Sequence, residues 1–227
     1  MGSPRAGPCG HKKVFAIPCY MASLASGAPL PEEIALVGDP KFQDLVQKSR
    51  SITKKILDSI HDTHKSCIST QTLRLDSPET SKLAVMASNI GISSAPVLKV
   101  VSEEFTLETS LTRMSEGLQL HRALLNFVSP HLPNIHKVTE LVADIRDLTL
   151  KIDKSIYPLC FASQMLKIAQ TEAYVQPTPI SVALRLPGEY EVQVAAHLML
   201  VQLQTFGQDM IRCLRDLDKS NDEETES

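Results

Sequence analysis

Seven residues of one segment set the problem: Leu107, Leu111, Met114, Leu118, His121, Leu125 and Val128 recur at spacings of four and three without a break. That period places all seven on one stripe of an α-helix and leaves the opposite side polar. A single amphipathic helix is not stable alone in water, so the stripe demands partners.

Three more stripes supply them. Asp39-Pro40 reads as an N-cap followed by proline at the first helical position. Phe42, Leu45, Val46, Ser49, Ile52, Ile56 and Ile60 then predict a helix over about 40–65. Lys48, Arg50, Lys54, Lys55 and Asp58 lie on its outer face. For the Leu107 stripe, Ser102 is the expected cap, with Glu103 and Glu104 in the first turn. Ser129-Pro130 and Pro133 close that helix and open the next. A third stripe runs through Val138, Leu141, Val142, Ile145, Leu148, Ile152 and Ile156, and Pro158 is expected to end it. A fourth follows Pro187-Gly188, with Val192, Ala195, Ala196, Met199, Leu203, Phe206, Met210, Cys213, Leu214 and Leu217. Helices of about 25 residues are roughly 35–40 Å long. Burial of each Leu or Ile contributes ~1.5–3 kcal/mol.

The connections suggest a topology. The link at 129–135 is short, so the helices it joins are expected to be antiparallel neighbours. The links 66–102 and 158–187 are long enough to return the chain to the end it left. This predicts an all-α, up-up-down-down four-helix bundle with two long crossover loops. A short helical pattern, Ser81 to Asn89, sits in the first crossover.

Composition excludes several functions. Aromatic residues are 4% and Trp is absent, which leaves little to stack on single-stranded nucleic acid. The net charge of -3 is not a nucleic-acid footprint. No segment beyond the leader approaches the ~18 apolar residues of a membrane span. Residues 1–27 read as a signal peptide: His11-Lys12-Lys13, an apolar stretch from Val14 to Leu24, then small residues with cleavage expected near Gly27/Ala28. Residues 28–217 form the helical domain. Residues 218–227, with five acids and one Lys, read as a solvated tail. The expected location is extracellular.

No catalytic motif is present: no P-loop, G-x-G-x-x-G, G-x-S-x-G or H-E-x-x-H. His61, His64 and Cys67 have H-x-x-H-x-x-C spacing but lack a fourth ligand and fit no standard zinc pattern. The preferred reading is a polar helix end with two exposed imidazoles. His121 is expected to be a core or boundary histidine. Asp144 and Asp147 share a face of the third long helix. They are either a solvated acidic face or a patch for a basic partner. No cofactor or metal is expected, and protein recognition becomes the leading class.

Five segments in order then carry a resemblance. They are Ile90-Gly91-Ile92-Ser93-Ser94-Ala95-Pro96-Val97, Met114-Ser115-Glu116-Gly117-Leu118, Asp144-Ile145-Arg146-Asp147, Gln176-Pro177-Thr178, and Leu203-Gln204-Thr205-Phe206 with Ile211-Arg212-Cys213-Leu214-Arg215-Asp216-Leu217. Together they resemble the granulocyte colony-stimulating factor branch of the long-chain four-helix cytokines, over about residues 40–217. The interleukin-six branch is the near rival. The resemblance implies a secreted, monomeric growth factor that binds and dimerises a class I cytokine receptor on granulocyte-lineage cells, with no enzymatic activity. It implies one receptor surface on the first and third long helices, with Lys48, Arg50, Asp144 and Asp147. Gln47 stands there where the family has a glutamate. A second surface joins the first crossover, with Val85 and Lys82, to Tyr190 at the start of the last helix. Thr178 falls on the family's O-glycosylated position. The family's two disulfides have no full set of partners here, and only Cys67 is near the right place. In the expected topology Cys160 and Cys213 share one end, which leaves two options: a free, buried Cys213, the preferred reading, or a bridge between them. The competing class is an amphipathic carrier of lipid or a small ligand, which calls for a basic polar face on more than the first helix. A cytosolic helical scaffold with an unprocessed N-terminus is a further alternative.

Overall fold

Asp39 starts the first helix as its neighbours dictate. Its Oδ1 accepts the Lys41 N–H at 2.7 Å, and Pro40 occupies the first turn, where a missing N–H costs nothing. In the computed structural model, residues 36–75, 80–102, 105–167 and 182–218 are described; the side chains of 80–82 and 160–167 are not. The signal-peptide assignment, Thr178 and the tail beyond 218 lie outside the described residues.

The described chain is all-α. Its helices are α1 (Pro40–Cys67), α2 (Thr80–Ile90), α3 (Leu107–Val128), α4 (Ile135–Lys167) and α5 (Glu189–Asp216), with one 3-10 turn, Ser129–His131. Among the described residues the only extended pairing is an isolated bridge between Ser102 and Phe105.

Two boundaries correct the sequence expectation. Thr106, not Ser102, caps α3, its Oγ1 accepting the Thr109 N–H at 3.2 Å. Ser102 instead exchanges two backbone hydrogen bonds with Phe105, whose ring is buried just before the helix begins. Helix α4 does not stop at Pro158 but continues through it to Lys167. Proline inside a helix costs about 3 kcal/mol and one backbone bond. Leu159, buried immediately after it, supplies an offsetting gain.

Each stripe turns inward. All seven members of the α3 stripe are buried, as are Phe42, Val46, Ile56 and Ile60 on α1 and Val138, Leu141, Ile145, Leu148 and Ile152 on α4. Helix α5 contributes a long buried face, from Val192 to Leu214. Buried Thr53, Thr63 and Thr149 each return their hydroxyl to the carbonyl one turn back, so they enter the core without an unmet donor.

Helices α1 and α3 each pack against both α4 and α5, and α2 packs on α5. Particular contacts fix which parts meet. The end of α1 reaches the start of α4, with Cys67 Sγ 3.5 Å from the Asn134 carbonyl oxygen. Lys55 meets Asp144, and His64 meets His197. Early in α1, Arg50 meets Asp218, just past the end of α5. On α3, Ser115 Oγ donates to Asp153 Oδ1 of α4 at 2.5 Å, and Gly117 lies under Phe206 of α5.

Helix α2 ends at Gly91, whose φ of +90° suits glycine and few other residues. Its N–H and that of Ile92 both reach the Ala87 carbonyl at 3.0 Å, closing the helix in a reversal of the chain. The Arg185 N–H then bonds the Ile90 carbonyl at 2.9 Å, tying the end of α2 to the segment that leads into α5.

Candidate interaction surfaces

The α1–α4 face is built around one ion pair. Lys48 and Lys55 are seven residues apart, so they share a side of α1. Lys55 Nζ lies 2.6 Å from Asp144 Oδ1. Lys55 is held above its usual pKa, first by that hydrogen bond and the charge of Asp144, and more weakly by the charges of Asp147 and Glu140. A shallow cleft lies beside the pair, lined by Lys55, Ser59, Asp62, Lys137, Glu140 and Asp144 among others.

The candidate residues of this face divide by availability. Asp147 and Gln47 are exposed. Lys48 is exposed and pairs with Asp44 one turn back at 2.7 Å. Asp144 is partly covered, at 18% side-chain exposure, and already engaged by Lys55. Arg50 is a different case. Its guanidinium pairs with Asp218, whose side chain is only 2% exposed. Beside it, Gln43 Nε2 donates to the Val37 carbonyl at 2.7 Å and the Leu217 carbonyl at 3.0 Å. Arg50 therefore ties the end of α5 to α1. The boundary of the tail also moves, because Asp218 was expected in solvent and is buried.

The second candidate surface lies on α2 and the beginning of α5. Val85 is 63% exposed and Tyr190 48% exposed, on two helices that touch. Lys82 belongs to α2, but its side chain is outside the described residues. Gly188 caps α5, and Glu189 and Glu191 place acids in its first turn, where the helix dipole favours them.

Cys213 is a free, buried thiol whose Sγ donates to the Lys99 carbonyl at 3.3 Å. Its bridge to Cys160, one of the two options from the sequence, is therefore not formed. Cys67 is also free and buried. Burial is the main cause that raises both thiols above their usual pKa, so neither is poised as a thiolate.

Histidine placement corrects one expectation and meets another. His61 is exposed, but His64 is buried, with Nε2 2.9 Å from Nδ1 of His197 on α5. Among the described residues no group of three or more His, Cys, Asp or Glu is arranged to hold a metal ion. His121 is fully buried. Its Nδ1 sits 2.7 Å from the Gly117 carbonyl oxygen, so that nitrogen carries the hydrogen and donates. Its Nε2 has no partner among the described residues, and burial pushes its pKa down to about 4. The ring is neutral at pH 7 and stacks at a tilt on Phe206, 5.3 Å between centroids.

Sequence reading also missed Gln193. Its Oε1 accepts the N–H groups of Ser69 at 3.1 Å and Thr70 at 3.0 Å, and the Thr70 hydroxyl at 2.7 Å. No helical period marks a glutamine as the anchor of a loop 124 residues earlier.

No protein-family model matches this chain, and no curated protein matches it. Among the described residues no helix is long and apolar enough to cross a membrane.

Proposed function

We propose that this chain is a secreted four-helix cytokine of the granulocyte colony-stimulating factor type, acting as a ligand for a class I cytokine receptor and carrying no active site. The contacts between the helices support an up-up-down-down order for it. Late α1 meets early α4 and early α5, while early α1 meets the end of α5. Early α3 likewise meets the later halves of α4 and α5. Such pairs are expected when α1 and α3 run one way and α4 and α5 the other, joined by two long crossovers.

The observation that carries the receptor reading is Asp147. It is exposed and adds its charge to a face where Lys55 and Asp144 already pair. A carboxylate desolvated against a basic receptor surface becomes a hot spot, whereas rim charges mainly set the on-rate. Gln47 and Lys48 flank it from α1. Val85 and Tyr190 offer a second contact on other elements. Two sites on one rigid body turn the second receptor contact into a near-intramolecular event, which is how a ligand without chemistry dimerises receptors. Arg50, held by Asp218, is assigned to the fold rather than to this surface.

The test is binding of the protein to the ectodomain of the granulocyte colony-stimulating factor receptor, beside an Asp147→Arg variant. The expected result is tight binding that the variant weakens at least about tenfold. Equal binding by both would remove Asp147 from the contact. No binding by the folded protein would overturn the receptor assignment and turn attention to interleukin-six-type receptors and to lipid vesicles.

A further inference from the structure

We propose that His64 and His197 form an acid-sensitive clasp that holds the beginning of α5 against the end of α1 at neutral pH and releases it as the pH falls toward 5. The two rings meet edge to face, with centroids 5.2 Å apart, and are 8% and 3% exposed. Between His64 Nε2 and His197 Nδ1 there is room for one hydrogen: one nitrogen donates and the other accepts. Protonating both rings sets N–H against N–H and places two positive charges side by side in a poorly solvated site.

Among the described residues the surroundings offer no counter-charge. On α1, the titratable group acting on His64 besides its partner is His61, which adds repulsion when protonated. On α5, the residue one turn before His197 is neutral Gln193, and the segment after α1 brings the hydroxyls of Ser69 and Thr70. The start of α4 brings the neutral carbonyl of Asn134 to Cys67. Among the described residues no carboxylate acts on either ring. Burial and the partner ring accordingly lower His64 to about 4, and burial lowers His197.

The clasp is continuous with the Gln193 anchor. The same turns of α5 hold Ser69 and Thr70 through Gln193 and hold α1 through His197, and Tyr190 precedes Gln193 by three residues. Opening the clasp therefore frees the end of α1, the first residues of the crossover and the turn that carries Tyr190. Loosening of a receptor contact in acid is the consequence, and this consequence alone rests on the function proposed above.

The sign follows from the reference value. An opened His64 titrates near 6.5 and a closed one near 4, so the opening equilibrium grows as pH falls through that interval. At pH 5 His64 alone favours opening by about 30-fold, and His197 adds to it.

The experiment is amide hydrogen exchange of the full chain at pH 7.4 and pH 5, corrected for the intrinsic pH dependence of exchange. A His64→Gln/His197→Asn double variant, which keeps amide hydrogen-bonding groups but cannot titrate, is run beside it. Protection at Ser69, Thr70 and His197 is expected to fall at least tenfold in the native protein and by less than threefold in the variant. Unchanged protection in the native protein at pH 5 overturns the proposal, as does an equal fall in the variant. If the variant does not fold, the native profile decides by its pattern: the clasp requires protection at Ser69, Thr70 and His197 to fall more than at Leu118 in the α3 core, and an equal fall overturns it. Receptor binding at pH 7.4 is scored separately: its absence counts against the cytokine reading and leaves the exchange result to judge the clasp.

Discussion

The ring of Phe206 on α5 covers Gly117 on α3 so closely that a methyl group at 117 would lie 2.2 Å from the ring Cζ. The absence of a side chain at 117 is what lets these two helices approach there, and His121, one turn on, stacks on the same ring. Gly117→Ala is expected to destabilise by ~1–2 kcal/mol, overpacking outweighing the roughly 1 kcal/mol of helix propensity gained. Gly207 on α5 is the control. A methyl there meets Leu57 Cδ2 at 2.9 Å, the far end of a half-buried side chain that can turn aside. Gly207→Ala is expected near neutral. Urea unfolding of both variants checks the contrast, and equal losses would contradict it.

His121 predicts a second acid effect, at the core rather than at the clasp. Its folded pKa of about 4 lies below the unfolded value of 6.5. The neutral ring's contribution is complete above 6.5 and is lost as pH falls toward 4. Between pH 7 and pH 4 this amounts to about 3 kcal/mol. His121→Leu keeps the volume and removes the titration. Its unfolding free energy should fall less over that interval by about that amount.

The Arg50–Asp218 pair gives the residue just past the end of α5 a structural role. Removing one partner of a buried pair costs about 3–5 kcal/mol, and Arg50's partial exposure puts the expectation at the lower end. Asp218→Ala and a chain ending at Leu217 should lose similar stability in urea unfolding. A neutral result for both would mean that the pair adds nothing to the fold.

Lys55 offers a test in the opposite direction. It occupies Asp144, so Lys55→Ala should free that carboxylate. Under the function proposed above, association with the granulocyte colony-stimulating factor receptor ectodomain is then expected to speed up several-fold at low salt and to converge on the native rate at high salt. Slower association would instead make Lys55 itself a contact.

Much of the architecture could be read because helical periodicity is local. Leu107 to Val128 needs only its own spacing to declare a buried face, and Asp39-Pro40 needs only its neighbours to start a helix. Misread features depended on distant or competing groups. Ser102 and Thr106 are both good caps by local rules, and it is Thr106 that accepts the Thr109 N–H. Pro158 breaks a helix by local rules, yet α4 continues through it to Lys167, with Leu159 buried just beyond. His64 looks like one more polar residue at a helix end until His197, 133 positions later, arrives beside it. Arg50 looked like a surface charge because its partner lies 168 residues away. At the candidate surfaces, sequence could nominate Asp147, Gln47, Val85 and Tyr190, all exposed. It could not show that Asp144 was already engaged.

Cys67 and Cys213, both free and sealed within the packed helices, give the molecule a built-in stopwatch. A thiol reagent in solution reaches neither until the helices part, so peptide-resolved labelling at the two positions times their openings separately. Cys67 sits three residues from His64 and Cys213 near the far end of α5, so the two labelling rates say which end of the molecule comes apart first.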